Sequence, residues 1–244
     1  MNFLLCIDDT DEKDGPGTGH LLQAVCERIE EKGWGKCSAI SRHQLFVDDA
    51  IPYTSHNSSL CCEVHTGNIS LQEIVVFCGG YLEENSAPGS DPGLCVTRLG
   101  TDADFSKLID FGRHAKKSVL TKENAYRLAE ELGIHLSEHG GTGQGVVGAL
   151  AGSGLRLSGN DGRFRGWYHL GREGERTRVE ALTAHPFIDV VRSERGGTPL
   201  SPEAEVIFGG DELKLVLQDN LQVLLVTEAG SGWRTLSKQE VKKY

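Results

Sequence analysis

The stretch NFLLCIDDTDEKDGPGTGH, residues 2–20, determines how the N-terminal half folds. Its first seven residues form an apolar run that ends at an aspartate, which is the pattern of a buried strand. Residues 8–14 then hold four aspartates and one glutamate, and a glycine-rich loop with a single threonine follows. Beyond that loop, apolar residues recur at helical spacing from Leu21 to Ile29. The sequence therefore predicts a strand, an acidic loop and a helix.

Further elements extend this unit toward the C-terminus. Residues 37–47 and 59–65 have the composition of strands, an amphipathic helix is expected from Asn68 through Phe77, and a short strand is expected over 94–99. Between that helix and that strand lies a Gly, Ser and Pro-rich segment, which indicates a loop. The resulting order, β-α-β-β-α-β, is that of a ferredoxin-like unit.

The second half of the chain changes character. Residues 103–153 are predicted to be helical in three pieces, each bounded by cap residues or glycines. From Leu155 to the C-terminus, short alternating apolar runs are separated by Gly, Asn, Asp and Pro, which predicts a mostly β region. We expect an α+β protein with two regions, residues 1–155 and 156–244.

Composition limits the function. A chain of 244 residues with 38% hydrophobic content can bury one large core or two small ones. The formal net charge of -10 argues against a protein that coats nucleic acid by bulk electrostatics, so contacts with nucleic acid should be local. Neither a secretory signal pattern nor an apolar run of about 18 residues is present, and a cytoplasmic protein is expected.

The cysteines favour buried, reduced thiols. Their number is odd and no CxxC pattern occurs, so neither a disulfide framework nor a zinc site is expected. Cys61 and Cys62 are adjacent in a predicted strand and should face opposite sides of it.

The acidic loop has the composition of a metal site. Asp8, Asp9 and Asp11 would converge after the strand, and a few carboxylates with water suit Mg²⁺ shared with phosphate better than a closed Ca²⁺ site. Gly15 and Gly17 lie in the loop before the helix, where bare backbone N–H groups attract phosphate. A purely structural interpretation, an acidic turn before a helix, stays open because no Walker lysine is present.

A second glycine loop, HGGTGQGVVGALAG, spans residues 139–152. Gly143, Gln144 and Gly145 precede a helix, as in a phosphate-binding nest. The same small residues would also permit tight helix packing through Gly148 and Ala149, and both interpretations remain open.

Four motifs in order resemble the archaeal tRNA(Ile) agmatidine synthetase family. They are IDDTD with Gly15 and Thr18, PYTSHNSS with Asn57, the turn DPGLCV, and TGQGVVGALAGSG. The family carries IDDTDS...GMCTTYLA, P-x-K-T-x-G-N, an NPG-type turn and GNGRGLIGALAAIG. The resemblance covers roughly residues 3–155, and several ordered motifs are more specific than any one of them.

The resemblance implies a kinase-like domain joined to a ferredoxin-like domain, with ATP and Mg²⁺ as cofactors. By motif match, Asp8, Asp9 and Asp11 would form the catalytic metal and phosphate site, and Thr18 would be the phosphorylated threonine. The nucleotide-binding positions would be Gly15, Gly17, Asn57, Gly143, Gln144 and Gly145.

Two departures from the family pattern affect function. The family's arginine in GRG is Gln144 here, which replaces a positive charge by a neutral amide. The family's OB domain and cysteine zinc ribbon, which hold tRNA, are not recognisable after residue 155. We therefore expect ATP/Mg-dependent phosphoryl transfer or ATP hydrolysis with the acceptor open; the alternative is a non-catalytic, nucleotide- or RNA-binding regulatory module of the same fold.

One segment of the C-terminal region could contact RNA. Arg163 and Arg165 alternate with Trp167 and Tyr168, and arginines beside aromatic residues can form a platform for single-stranded RNA. The alternative, which the net charge favours, is a β-hairpin with its apolar face inward and its arginines in solvent.

Overall fold

The computed structural model describes residues 2–12, 15–48, 57–100, 104–230 and 232–244. The chain divides into two compact units, Met1–Ser158 and Gly159–Tyr244. The first unit mixes helices and strands, and the second is mostly β, as the sequence predicts. The chain is therefore an α+β protein.

The N-terminal unit contains five helices and six strands among its described residues. They are β1 (Asn2–Asp8), α1 (Thr18–Glu31), β2 (Lys36–Cys37), β3 (Ser41–Gln44), β4 (Ser58–His65), α2 (Leu71–Asn85), β5 (Gly93–Leu99), α3 (Ser106–Ala115), α4 (Lys122–Leu132), β6 (His135–Glu138) and α5 (Gly145–Leu157).

These strands form a sheet in the order β6-β5-β1-β4-β3, and β2 also pairs with β4. All of these neighbours are antiparallel. Strand β1 lies in the middle, where Cys6 is opposite Cys61 on one side and Cys95 on the other. The order of elements predicted for residues 2–99 is the observed one, except that the second strand is split into β2 and β3.

Helices cover both faces of this sheet. On one face, Phe3, Leu5 and Ile7 pack in a core with apolar residues of α1 and α2. On the other face, Leu4 and Cys6 pack with residues of α3, α4 and α5. Because successive side chains of a strand point to opposite faces, a strand covered on both faces must be apolar throughout, as β1 is.

Helix α2 continues well beyond its predicted end. It begins after Ser70, whose side chain accepts a hydrogen bond from the Glu73 amide in a capping box, and it runs through Gly79 and Gly80 to Asn85. A glycine is required at position 79 because a Cβ there would lie 2.6 Å from Cε1 of His139. The prediction that this glycine pair begins a loop is therefore wrong.

The prediction of continuous helical pieces over 103–153 also missed a strand. Residues 135–138 form β6, which pairs antiparallel with β5 at the edge of the sheet. The segment is only four residues long, so its alternating pattern is too short to stand out from the helices on either side. Helix α3 ends at Ala115, earlier than the apolar pattern suggested.

The C-terminal unit contains, among its described residues, seven strands, one short helix and a terminal turn of 3-10 helix. They are β7 (Arg163–Phe164), β8 (Arg176–Arg178), α6 (Val179–Thr183), β9 (Val190–Ser193), β10 (Glu205–Ile207), β11 (Leu215–Gln218), β12 (Leu221–Ala229), β13 (Gly232–Thr235) and the 3-10 turn Glu240–Lys243.

The strands of this unit are ordered β7-β11-β12-β13-β10-β8, with β9 parallel to β12. One of its hydrophobic clusters contains Val190, Val216, Val223 and Leu225, which are residues of β9, β11 and β12. In the described part of the chain, no helix is both long enough and apolar enough to span a bilayer.

Candidate functional site

The acidic loop begins where β1 ends against helix α5. Asp8 is the last residue of β1 and is buried. A Cβ built on Gly148 of α5 would lie 1.6 Å from Oδ2 of Asp8, and one on Gly145 would lie 3.0 Å from the Asp8 carbonyl oxygen. The glycines of α5 therefore make room for the end of β1 and for the Asp8 carboxyl group.

The loop then turns sharply and closes onto the start of α1. Asp9 has a φ of 53°, in the left-handed region that aspartate tolerates better than most residues. Thr18, the first residue of α1, is buried, and its Oγ1 donates a 2.9 Å hydrogen bond to Oδ1 of Asp11. The Thr10 amide donates a longer bond, 3.4 Å, to the same hydroxyl oxygen. The threonine hydroxyl is thus held beside a carboxylate.

A fourth aspartate, Asp91, joins the acidic loop to the second glycine loop. Its carboxylate accepts hydrogen bonds from the Thr142 amide and, at 2.6 Å, from the Thr142 hydroxyl. Its carbonyl oxygen accepts a 3.1 Å bond from the Gly145 amide. Asp91 was not among the site residues predicted from the sequence, where the only signal for it was its place in the DPGLCV turn.

Burial and mutual repulsion disfavour ionisation of these acids. Burial raises the pKa of Asp8 to about 8, and the charge of Asp9 adds to the rise. Burial also raises the pKa of Asp9 to about 6, with further contributions from the carboxylates of Asp91 and Asp11. Since an adjacent cation would favour the charged forms of all four groups, the cluster has the electrostatics of a cation site.

The donor set fits Mg²⁺. Asp8, Asp9, Asp11 and Asp91 offer only oxygen, which Mg²⁺ prefers. Thr10 adds a buried hydroxyl, Oγ1, with no hydrogen-bond partner among the described residues. A buried polar atom left without a partner costs free energy, so this oxygen is a further candidate for contact with a bound ion, its water or a phosphate.

The second glycine loop is shaped by two carboxylates. Gly141 and Gly143 have φ values of 56° and 76°; a Cβ on them would lie 1.9 Å from Oδ1 of Asp91 and 1.8 Å from Oε2 of Glu138, respectively. Glu138 itself accepts a 2.7 Å bond from the Tyr126 hydroxyl and forms a 2.7 Å ion pair with Lys122. These positions accept only glycine for both steric and conformational reasons.

Lys122 and the neighbouring amide complete this loop. The Lys122 ammonium also donates to the Thr142 carbonyl at 2.7 Å, so it holds the loop from the side of α4. Gln144 occupies the N-cap position of α5, is exposed, and makes no side-chain capping bond. Gly145 is the first residue of that helix.

The other predicted nucleotide-binding residues lie in different settings. The Gly15 amide donates to the Glu12 carbonyl at 3.1 Å, and Gly17 is the extended residue that precedes α1. Asn57 donates through Nδ2 to the Phe46 carbonyl at 2.6 Å, so its amide closes the two ends of the segment between them. Most of the PYTSHNSS motif, residues 52–56, lies outside the described residues.

The predicted RNA platform has aromatic groups that already make contacts within the C-terminal unit. Tyr168 stacks on Phe187 with ring centroids 4.2 Å apart. The ammonium groups of Lys214 and Lys238 lie 4.6 and 4.9 Å from the centre of the Trp167 ring. Arg163 and Arg165, in β7 and just after it, are both half-buried rather than solvent-exposed, and burial lowers the pKa of Arg163.

The fold and the acidic loop define an agmatidine synthetase-like α+β protein, and comparison with known proteins confirms the resemblance that the motifs predicted. The chain is 28% identical over 166 residues to the isoleucine tRNA 2-agmatinylcytidine synthetase TiaS of Methanosarcina acetivorans, a match that covers 64% of this chain and 36% of that relative. The chain thus spans little more than a third of the relative's length. No protein-family model matches the chain.

Solved structures of TiaS share the fold. The crystal structure of apo TiaS matches with a TM-score of 0.54 and 24% identity, over 79% of this chain and 46% of that one. The complex of TiaS with its tRNA and ATP matches with a TM-score of 0.56 and 21% identity, over 100% of this chain and 54% of that one. The similarity therefore extends through the β-rich C-terminal unit as well.

Proposed function

We propose that the protein binds ATP with Mg²⁺ at the acidic loop and transfers or hydrolyses the γ-phosphoryl group. The observation that carries this proposal is the set of four interacting aspartates, Asp8, Asp9, Asp11 and Asp91, at the place where two glycine loops lead into helices. Such loops offer backbone N–H groups to phosphate. The complex of TiaS with tRNA and ATP supports ATP as the nucleotide.

Mg²⁺ would be held by Asp8, Asp9 and Asp11, with Asp91 close enough to act on Asp9 electrostatically. When bound, the ion supplies charge neutralisation for the phosphates. Phosphoryl transfer depends mainly on positioning and electrostatics, which these carboxylates and the two glycine loops can provide. The antiparallel order β5-β1-β4-β3 supports a ferredoxin-like assignment for residues 2–99, and the kinase-like assignment is taken from the resemblance.

Thr18 would be the acceptor within the protein. Its Oγ1 attacks the γ-phosphorus, the bond from that phosphorus to the β–γ bridging oxygen breaks, and ADP leaves. The hydroxyl proton passes to Oδ1 of Asp11, which already accepts a 2.9 Å hydrogen bond from it. Asp11 is thus the general base of this proposal, and the phosphothreonine can pass its phosphoryl group to water or to a second substrate.

RNA is the proposed second partner. The curated relative is named for a tRNA, and two of the similar structures are complexes with that tRNA. In this chain, Trp167 with Lys214 and Lys238 combines an aromatic face and two positive charges. Bases stack on such faces and phosphates pair with such charges.

A non-catalytic nucleotide- or RNA-binding module is the competing function. The neutral Gln144 favours it, because the family motif has an arginine there that could balance phosphate charge. The retained contact between Asp11 and Thr18 favours the enzyme instead, since a module that only binds nucleotide has no need of a base at the hydroxyl.

The experiment that separates the two functions is incubation of the protein with γ-labelled ATP and Mg²⁺, followed by measurement of protein-bound label and free phosphate. The enzyme predicts labelled Thr18, and Thr18→Val should lose that label while it retains ATP binding. Thr183→Val, which changes an exposed threonine of α6 in the C-terminal unit, serves as a matched control and should keep the label. ATP binding with neither label nor free phosphate would support the non-catalytic module.

A further inference from the structure

Three cysteines from three different elements meet in the N-terminal unit. They are Cys26 of α1, Cys37 of β2 and Cys62 of β4, and their Sγ atoms all lie within 4.8 Å of one another. The Sγ atoms of Cys26 and Cys62 are 3.4 Å apart. Cys37 is opposite Val64 in the β2–β4 pair, so it shares a face of the sheet with Cys62, two residues earlier on β4.

We propose that these three thiols form a binding site for Zn²⁺. Zinc binds thiolate at about 2.3 Å in tetrahedral geometry, which sets two sulfurs on the same ion about 3.8 Å apart. The observed separations, 3.4 Å for one pair and no more than 4.8 Å for any pair, bracket that spacing. Small side-chain rotations would therefore bring all three sulfurs to bonding distance without moving the backbone.

Burial and access suit a site with one open coordination position. Cys26 and Cys62 are buried, whereas Cys37 is half-buried. Binding would convert three S–H groups to three Zn–S bonds and release three protons to solvent. Water would supply the fourth ligand from the side of Cys37, as in zinc sites that have only three protein ligands.

A zinc site was not expected from the sequence, because no two cysteines have the spacing of a zinc motif. The three ligands are 11 and 25 residues apart, and only the pairing of β2 with β4 under helix α1 brings them together. All seven cysteines are free thiols, so none is tied up in a disulfide. The absence of CxxC therefore did not exclude a metal site.

The test is a titration of the reduced, metal-free full-length protein with Co²⁺, a coloured substitute for Zn²⁺, followed by addition of Zn²⁺. We expect a thiolate-to-cobalt charge-transfer band that saturates at one equivalent and disappears when Zn²⁺ displaces the cobalt. Zn²⁺ alone should raise the thermal midpoint. Neither readout depends on ATP or on catalytic activity.

Variants assign the site to these residues. Cys37→Ser should weaken binding at least about tenfold, equivalent to about 1.4 kcal/mol. Because Cys37 is only half-buried, this variant should fold, which circular dichroism can check. Cys61→Ala is the matched control: it removes a buried cysteine from the same strand as Cys62 but from the opposite face, and it should bind cobalt like the unmodified protein.

Two outcomes would overturn the proposal. One is the absence of a charge-transfer band in the reduced protein. The other is a band of equal strength and affinity in Cys37→Ser and the unmodified protein, which would place the cobalt elsewhere. A disulfide between Cys26 and Cys62 that forms in air while the reduced protein binds no metal would give the cluster a redox explanation instead.

Discussion

Oδ2 of Asp8 occupies the space that a side chain on Gly148 would need. A Cβ built on Gly148 lies 1.6 Å from that oxygen, far inside contact distance. Asp8 is the buried end of β1, and Gly148 lies one turn into α5, so the first acidic residue and the second glycine loop depend on each other. A substitution at Gly148 should therefore act on the acidic loop.

Gly148→Ala should destabilise the protein and weaken metal-dependent ATP binding. The added methyl group must displace the Asp8 carboxyl group or move α5, and overpacking of this kind costs typically about 1–3 kcal/mol. Urea denaturation and calorimetric ATP titration would measure the two effects. Gly80→Ala is the control, because a Cβ there meets nothing within 4 Å and alanine favours a helix; it should be neutral or stabilising. Equal effects of the two substitutions would contradict the packing argument.

Asp91→Ala should release the second glycine loop. It removes the acceptor for two hydrogen bonds from Thr142, and the loss of a buried charged acceptor costs about 1–3 kcal/mol. The free energy of unfolding should fall by that order, and the amides of residues 141–145 should exchange hydrogen faster. Asp110→Ala, which removes an exposed aspartate of α3 paired with Arg113, should stay within about 0.5 kcal/mol of the unmodified protein. Unchanged exchange in Asp91→Ala would show that the loop is held by other contacts.

The stability of the metal-free protein should fall as pH rises through the range set by Asp8 and Asp9. An aspartate in the unfolded chain has a pKa of about 3.9, whereas burial raises the folded-state pKa of Asp9 to about 6 and of Asp8 to about 8. Between about pH 4 and pH 8 the folded protein holds protons that the unfolded chain has released, so stability decreases with pH. Below about pH 4 both states are protonated, and this contribution is constant.

Two comparisons isolate this effect from other titrating groups. Asp8→Asn should show a flatter decline in thermal midpoint between about pH 5 and about pH 8 than the unmodified protein. Mg²⁺ should stabilise the unmodified protein more at the higher pH, because it binds the ionised carboxylates. If both proteins have the same pH profile, Asp8 is not a buried, protonated acid.

The sequence could predict the parts of the site that are local along the chain. The apolar run of β1, the acidic loop and the start of α1 are contiguous, and the Thr18–Asp11 hydrogen bond joins residues only seven positions apart. Asp91 and Thr142 are 51 positions apart, and their contact depends on the pairing of β5 with β6 and on the seating of α5. No periodicity within one segment encodes such a contact.

The incorrect predictions have the same physical origin. The Gly79–Gly80 pair has the local signature of a loop, yet it lies inside α2 because the His139 ring lies beside Gly79. The cysteines have no spacing that suggests a shared ligand, yet three of them meet in space. In each case tertiary packing determined the outcome, and local propensity was overridden.

Calorimetric titration with ATP, with and without Mg²⁺, decides whether the acidic loop is a nucleotide site when it is done on the unmodified chain and on Asp9→Asn. Loss of a carboxylate ligand should weaken binding by about 100-fold, equivalent to about 2.7 kcal/mol. We expect binding that requires Mg²⁺ in the unmodified protein and is lost or strongly reduced in Asp9→Asn. Binding of equal affinity in both proteins, or no binding with Mg²⁺ present, would contradict a nucleotide site at the acidic loop.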